Sequence, residues 1–180
     1  MSTNQPITAR QVAALIRPEA VCLDLQARTK TPALREIALR LAGCPSVPDY
    51  ESLIREILAR EAAGNTALGH GAAIPHARTD FCREIVIAVG RSADGIDYGA
   101  TDGQPVRLIF LIGTPMQDVT EYLRVVGMLA RLLAREAVRR QLLDAGSVAD
   151  FIAVLAEAGE PHGTRAADVA GPDDSDVHDA

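Results

Sequence analysis

The stretch that decides the fold is EIVIAVGRSADGIDYGATDGQPVRLIFLIG, residues 84–113. Its two ends, EIVIAVG at 84–90 and VRLIFLIG at 106–113, are nearly continuous apolar runs rich in valine and isoleucine. Runs of this length and composition predict buried strands. The segment between them, GIDYGATDGQPV at 95–106, is rich in turn-forming residues. The sequence therefore predicts a sheet at the centre of the molecule.

Helical patterns flank these strands on both sides. Apolar residues recur at helical spacing, and capping residues stand where such runs begin. The predicted elements are helices starting at Thr8, Thr31-Pro32, Asp49 and Ser147, a helical region 118–143 with a break near Glu136, and a short strand at 21–25. Strands interrupted by helices indicate an α/β sandwich, with parallel and antiparallel pairs both possible.

The negative charge is concentrated at one end of the chain. The formal net charge is −6, and residues 160–180 hold six carboxylates against Arg165, so they carry −5 of it. The nearly neutral remainder carries no basic footprint for nucleic acid. We expect a single folded domain at 1–158 and an acidic, disordered tail at 159–180, because the tail has no apolar periodicity.

Several features of the sequence predict a cytoplasmic protein without membrane insertion. The first twenty residues contain no apolar core of a signal peptide. The longest strongly apolar run, Leu108 to Ile112, is far shorter than the roughly 20 residues of a membrane helix. Three dispersed cysteines suit reduced thiols in a cytosol.

The candidate chemistry lies in TALGHGAAIPHARTD, residues 66–80, which contains both histidines of the expected domain, His70 and His76. Pro75 restricts the backbone immediately before His76. An imidazole with a pKa of about 6.5 is mostly neutral at pH 7 and can attack a phosphoryl group. The guanidinium of Arg78 and nearby backbone N–H groups would then hold the phosphoryl oxygens.

Other interpretations of these residues remain open at this point. A histidine beside a proline in a turn is often structural or solvent-facing. A metal site built from His70, His76 and Asp80 is disfavoured, because all three lie in one loop-like segment. A hydrolase is disfavoured as well, since no GxSxG or comparable cysteine signature occurs. We expect no metal and no other cofactor.

The segment GHGAAIPHAR at 69–78 resembles the active-site signature of mannitol/fructose-type enzyme IIA domains of the bacterial sugar phosphotransferase system. Three further segments are similar to parts of that family. They are ILAREAAG at 57–64, GIDYGATDGQPVRLIFLIGTP at 95–115 and MLARLLAREAVRRQLLDAGSVADFIAVL at 128–155. The resemblance covers roughly residues 8–158.

This resemblance implies a mixed β-sheet sandwiched by helices and a transient phosphohistidine on the ring nitrogen distal to the backbone. His76 matches the phosphorylated position, and Arg60 matches an arginine associated with the site. The phosphoryl donor would be the small phosphocarrier HPr or a relative. The phosphate would pass to a IIB domain or serve as a regulatory signal. The sugar-specific and nitrogen-regulatory branches both remain open.

Four other residues are candidate supports for the phosphoryl group. Arg78 and His70 flank His76 in the sequence, and Thr66 either donates a hydroxyl hydrogen bond or caps a turn. Tyr122 stands where family members commonly carry a second histidine, and it either reaches the site or belongs to the core. A tyrosine cannot carry positive charge. The alternative function is therefore a IIA-like sensory or docking module that no longer transfers phosphate onward.

Overall fold

The computed structural model describes residues 6–159. Within this range the chain forms six α-helices and six β-strands. They are α1 (Ala9–Ala14), β1 (Val21–Cys22), α2 (Lys30–Ala38), α3 (Tyr50–Ala63), β2 (Ala67–Gly69), β3 (Ala72–Ala73), β4 (His76–Thr79), β5 (Val86–Ile96), β6 (Val106–Pro115), α4 (Val119–Ala134), α5 (Glu136–Asp144) and α6 (Val148–Glu157). The predicted tail at 159–180 lies, apart from Gly159, outside the described residues.

The strands form one mixed sheet around β6. The hydrogen-bonded order is β1-β5-β6-β3-β2. Strand β4 pairs with the same edge of β6 as β3 does, but further along β6, at residues 112–115. Strands β5 and β6 are antiparallel, whereas β1 on β5 and both β3 and β4 on β6 are parallel. The two apolar runs that the sequence singles out are thus the longest strands of this sheet and lie side by side.

Helices cover both faces of the sheet. Alternate residues of β6 point to opposite sides, so that Phe110 and Ile112 enter one apolar cluster while Ile109 and Leu111 enter another. The first cluster contains residues of α1, α4, α5 and α6, and the second contains residues of α2 and α3. The predicted single α/β domain, with a mixed sheet between helices, is confirmed.

Most of the predicted helix starts are confirmed by side-chain caps. Thr8, Asp49 and Ser147 each accept a hydrogen bond from the backbone N–H three residues on. The predicted start at Thr31-Pro32 is wrong, since α2 begins at Lys30 after Thr29. Pro32 is then the third helical residue, where a backbone N–H has no partner within the helix, so the proline costs no hydrogen bond.

The segment at 66–80 differs from its expected loop conformation. It contains the short strands β2, β3 and β4, and His76 is the first residue of β4 rather than a loop residue. Strands this short lack a detectable period, and they exist because β3 and β4 pair in parallel with the long strand β6. The first predicted strand is shorter than expected, at Val21–Cys22, and β5 runs on to Ile96.

The predicted break in the long helical region is confirmed. Helix α4 ends at Ala134 and α5 begins at Glu136, with Arg135 in an extended conformation between them. Between residues 6 and 159, no helix combines the length and apolar character needed to cross a membrane.

Candidate functional site

A pocket of about 510 Å³ opens at the start of β4. His76 is paired with Ile112 of β6, whose side chain lies in the apolar cluster that contains α4. The pocket is also lined by the last turn of α3 and the first turns of α4. The parallel pairing of β4 with β6 therefore places the His76 side chain between two helices.

The ring of His76 is held in one tautomer. Its Nδ1 atom lies 2.7 Å from the carbonyl oxygen of Ile74. A carbonyl oxygen only accepts hydrogen bonds, so Nδ1 carries the proton and donates it. In the neutral ring, Nε2 is then left with a free lone pair. This is the ring nitrogen distal to the backbone.

The surroundings of His76 favour the neutral form of its ring. Burial lowers the pKa of His76 below its usual 6.5, and the positive charge of Arg60 lowers it further. The hydrogen bond to Ile74 and the carboxylate of Glu61 act in the opposite direction without reversing the result. At pH 7 the neutral, nucleophilic imidazole is thus the main species.

Two arginines line the pocket with His76. Arg60 is on the last turn of α3 and donates a hydrogen bond of 3.0 Å to the carbonyl oxygen of Gly64. Arg78 lies two residues after His76 on β4, where alternate side chains share a face of the sheet. Both side chains are exposed, so their guanidinium groups remain open to an anion that enters the pocket.

Tyr122 of α4 packs against the ring of His76. The two ring centroids are 5.4 Å apart with an interplanar angle of 53°. Burial raises the pKa of Tyr122 above 10, although Arg60 and Arg78 both act to lower it. The phenol therefore stays protonated at pH 7 and keeps its hydroxyl as a donor. Of the two expectations for this residue, the structure gives the one that brings it to the site.

The other two candidates, Thr66 and His70, do not line the pocket. The hydroxyl of Thr66 is buried and donates to the carboxylate of Glu61, so its single proton is already used. His70 is exposed between β2 and β3 with a positive φ of 53°, and its backbone N–H donates to Asp102. The structure thus does not support direct phosphoryl contacts for these two residues.

The sequence did not predict the apolar rim of the pocket. This rim, formed by Met116, Val119 and Leu123, is exposed to 45%, 42% and 59%. Helix α4 starts with Val119, but its buried residues begin only at Val125. The first turns of α4 contain more apolar residues than the helix buries, and Leu123 is one of them. This excess is the feature of the sequence that indicates an exposed apolar surface.

The described residues offer no alternative metal centre. Across residues 6–159, no three histidine, cysteine, aspartate or glutamate side chains lie close enough to hold a metal ion. The polar groups that line the pocket are one neutral imidazole, two guanidinium groups, one phenol and the exposed carboxylate of Glu56. This set of groups suits an imidazole nucleophile that receives a dianionic group.

Comparison with known proteins identifies the family. Residues 14–158 match the family model described as phosphoenolpyruvate-dependent sugar phosphotransferase system, EIIA 2. The chain belongs to this family.

Relatives come from both of its branches. The chain is 34% identical over 142 residues to the fructose-specific EIIA component of Haloferax volcanii. The alignment covers 79% of this chain and 92% of that protein. The chain is 32% identical over 142 residues to a nitrogen regulatory protein of Bradyrhizobium diazoefficiens, with the same coverage. The chain spans only 23% of the fructose-specific EIIABC component of Bacillus subtilis, to which it is 33% identical over 145 residues.

Solved structures agree with this assignment. The nitrogen regulatory protein IIA-Ntr of Neisseria meningitidis superposes with a TM-score of 0.75 at 28% identity, over 80% of this chain and 98% of that one. The mannitol IIA of Escherichia coli has the same fold, with a TM-score of 0.67 at 24% identity, over 78% of this chain and 98% of that one. Family membership and these relatives support a phosphocarrier or regulatory role.

Proposed function

We propose that this protein is a phosphoryl carrier that receives a phosphoryl group on Nε2 of His76 from HPr or an HPr-like protein. It then passes the group to a IIB partner or uses it as a regulatory signal. The observation that carries the proposal is the hydrogen bond from Nδ1 of His76 to Ile74, in a pocket that Arg60 and Arg78 also line. That bond leaves the lone pair on Nε2.

The proposed transfer moves a phosphoryl group between two imidazole rings. The Nε2 lone pair of His76 attacks the phosphorus atom, and a new N–P bond forms. The N–P bond of the donor phosphohistidine breaks, and its electron pair returns to the donor ring. The donor ring, protonated at its other nitrogen, leaves as a neutral imidazole. Nδ1 of His76 keeps its proton, so the phosphorylated ring carries a positive charge and still donates to the Ile74 carbonyl without rotating.

The guanidinium groups supply the electrostatic part of the mechanism. Charge spreads over the three equatorial oxygens of a phosphoryl group during transfer, and preorganised cations stabilise that charge. Arg60 and Arg78 approach from different elements, α3 and β4, and are therefore suited to contact different oxygens. The neutral Tyr122 hydroxyl adds a third donor, weaker than a charged one.

The apolar rim of Met116, Val119 and Leu123 suits the docking of a protein partner. A fully solvated small donor has no use for exposed apolar side chains around a polar pocket, whereas protein interfaces have apolar centres. One solved structure of the same fold is a complex of the mannitol enzyme IIA of Escherichia coli with phosphorylated enzyme IIB. It supports a IIB-like acceptor here. A carrier in this chain of transfers works in the cytoplasm, which is the location we propose.

A second candidate function is a sensory or docking module that accepts phosphate and does not pass it on. The observation that favours it is the contact of Tyr122 with His76, since tyrosine offers no positive charge to the phosphoryl group. Both candidates predict phosphorylation of His76. Only onward transfer predicts that the phosphate leaves again when a IIB partner is added; a regulatory signal and a docking module both keep it.

The experiment that tests the proposal is incubation with enzyme I, HPr and radiolabelled phosphoenolpyruvate. We expect acid-labile, base-stable label on the chain, and its loss when an unphosphorylated IIB protein is added. Retention of the label with every IIB protein tested would contradict onward transfer and leave the regulatory signal and the docking module. Absence of label on the wild-type protein would contradict both candidates.

A further inference from the structure

A buried carboxylate follows Arg60 directly in the chain. Glu61 is 6% exposed, on the last turn of α3. Its carboxylate accepts a hydrogen bond from the backbone N–H of Thr66 at 3.3 Å and another from the Thr66 hydroxyl. The ammonium group of Lys30, from the start of α2, lies 3.1 Å from it. Burying a carboxylate is costly unless it is paired in this way.

The direction of the hydrogen bonds in this cluster follows from the donors available. The Thr66 hydroxyl has one proton, which it donates to the ionised carboxylate of Glu61. The Tyr98 hydroxyl lies 3.2 Å from the Thr66 hydroxyl oxygen and must therefore be the donor in that pair. Lys30 also lies over the Tyr98 ring, 4.6 Å from its centroid. The result is an ordered chain from Tyr98 through Thr66 to Glu61.

This chain continues through the backbone to the nucleophile. The carbonyl oxygen of Thr66 accepts a hydrogen bond of 3.1 Å from the N–H of Ile74. The carbonyl oxygen of the same Ile74 accepts the proton of Nδ1 of His76 at 2.7 Å. Two hydrogen bonds and one residue thus separate the Thr66 backbone from the ring that is proposed to react.

We infer that Glu61 and Thr66 are positioning residues, which fix the Ile74 carbonyl that orients His76 and the last helical turn that presents Arg60. The inference rests on the proposed function, because it explains how the two reacting groups keep their geometry. Glu61 is hydrogen-bonded to Thr66, whose backbone is hydrogen-bonded to Ile74, and it follows Arg60 directly on α3. A displacement of about 1 Å at a reacting centre can cost on the order of 100-fold in rate.

The test compares Thr66→Val, which keeps the shape and removes the hydroxyl, with Thr66→Ser, which restores it. Ser52→Ala is the matched control. Ser52, like Thr66, is buried and donates its hydroxyl proton to a carboxylate, that of Asp49 at 2.5 Å, but it lies at the start of α3, away from Glu61. Two quantities are measured: the tautomer of His76 from its ring ¹⁵N chemical shifts, and the rate of His76 phosphorylation by phosphoramidate. This small donor requires no partner protein.

We expect wild type, Thr66→Ser and Ser52→Ala to show the Nδ1–H tautomer of His76. In Thr66→Val we expect a mixture of tautomers and a rate about tenfold lower. If Thr66→Val does not fold, Tyr98→Phe carries the test, with a rate loss of about threefold and the same direction of tautomer shift. Wild-type tautomer and rate in whichever of these variants folds would overturn the inference.

The outcomes separate this inference from the proposed function. The positioning role is supported if the wild-type protein has the Nδ1–H tautomer and the Thr66→Val variant does not. This holds even if HPr does not phosphorylate the wild-type protein. Efficient labelling by HPr together with an unaffected Thr66→Val variant leaves the proposed function standing and removes the positioning role.

Discussion

The carbonyl oxygen of Ile74 lies 2.7 Å from Nδ1 of His76 and fixes which ring nitrogen can act as a nucleophile. Only Pro75 lies between Ile74 and His76, so the bond closes a local loop at the start of β4. The remaining parts of the proposed mechanism are arranged around this pair. Arg60, Arg78 and Tyr122 line the pocket. The backbone N–H of Ile74 is hydrogen-bonded to Thr66, and Thr66 is hydrogen-bonded to Glu61.

The titration of His76 is the first prediction. Its pKa is lowered mainly by burial and also by Arg60, so the ring protonates only below pH 6.5. The nucleophilic form therefore persists through neutral pH and is lost as the pH falls through this lowered pKa. An NMR titration of the ring measures it directly. In Arg60→Gln the pKa rises, because a positive neighbour is removed; an unchanged pKa would separate Arg60 from the site.

The second prediction concerns the rate contribution of Arg60. Its guanidinium lines the pocket, and loss of one preorganised donor costs about 100-fold in rate or more. We expect Arg60→Ala to slow phosphorylation by HPr by this factor with little change in melting temperature, since the side chain is exposed. Arg55→Ala, an exposed arginine on the same helix outside the pocket, is the control. Equal rates for the two variants would argue against the role of Arg60.

Tyr122 gives the third prediction. Removal of its hydroxyl in Tyr122→Phe keeps the ring contact with His76 and should lower the rate about threefold, the effect of one neutral hydrogen bond. Tyr122→His should raise the rate, most clearly below about pH 7, where an imidazole begins to carry charge. Single-turnover phosphorylation by HPr measures both variants. A Phe variant with the wild-type rate would show that only the ring matters.

The fourth prediction separates docking from chemistry at the apolar rim. Leu123→Asn should raise the KM for phosphorylated HPr about tenfold, as expected for an anchor residue of an interface. The rate with phosphoramidate should stay unchanged, because this donor needs no protein contact. Leu39→Asn is the control, since Leu39 is exposed to a similar extent, 58%, and lies outside the pocket. A KM that responds equally to both substitutions would exclude the rim as the docking surface.

The central part of the fold follows from the sequence because its signals are long and local. The two long strands are buried at 86–89 and, except for the exposed Arg107, at 106–112. Thr8, Asp49 and Ser147 are caps whose partners lie three residues away. The strands of the site segment do not follow, because β3 and β4 depend on pairing with β6, about 35 residues away. No local pattern specifies such a partner.

For the candidate site, too, the sequence predicts some residues correctly and misplaces others. His76, Arg60, Arg78 and Tyr122 share one pocket, and the sequence named all four. Thr66 and His70 are near His76 in the chain but lie elsewhere, because a pair of short strands reverses the chain between them and the nucleophile. The roles of Glu61 and of the Ile74 carbonyl could not be inferred, since they depend on burial and on hydrogen-bond geometry.

The most direct test of the account is the location of phosphate on the intact protein. After incubation with enzyme I, HPr and phosphoenolpyruvate, ¹⁵N–³¹P coupling assigns the phosphorylated nitrogen. The account predicts one phosphate on Nε2 of His76 and none on the folded His76→Gln variant. Phosphate on Nδ1 of His76, or equal labelling of the His76→Gln variant, would contradict it.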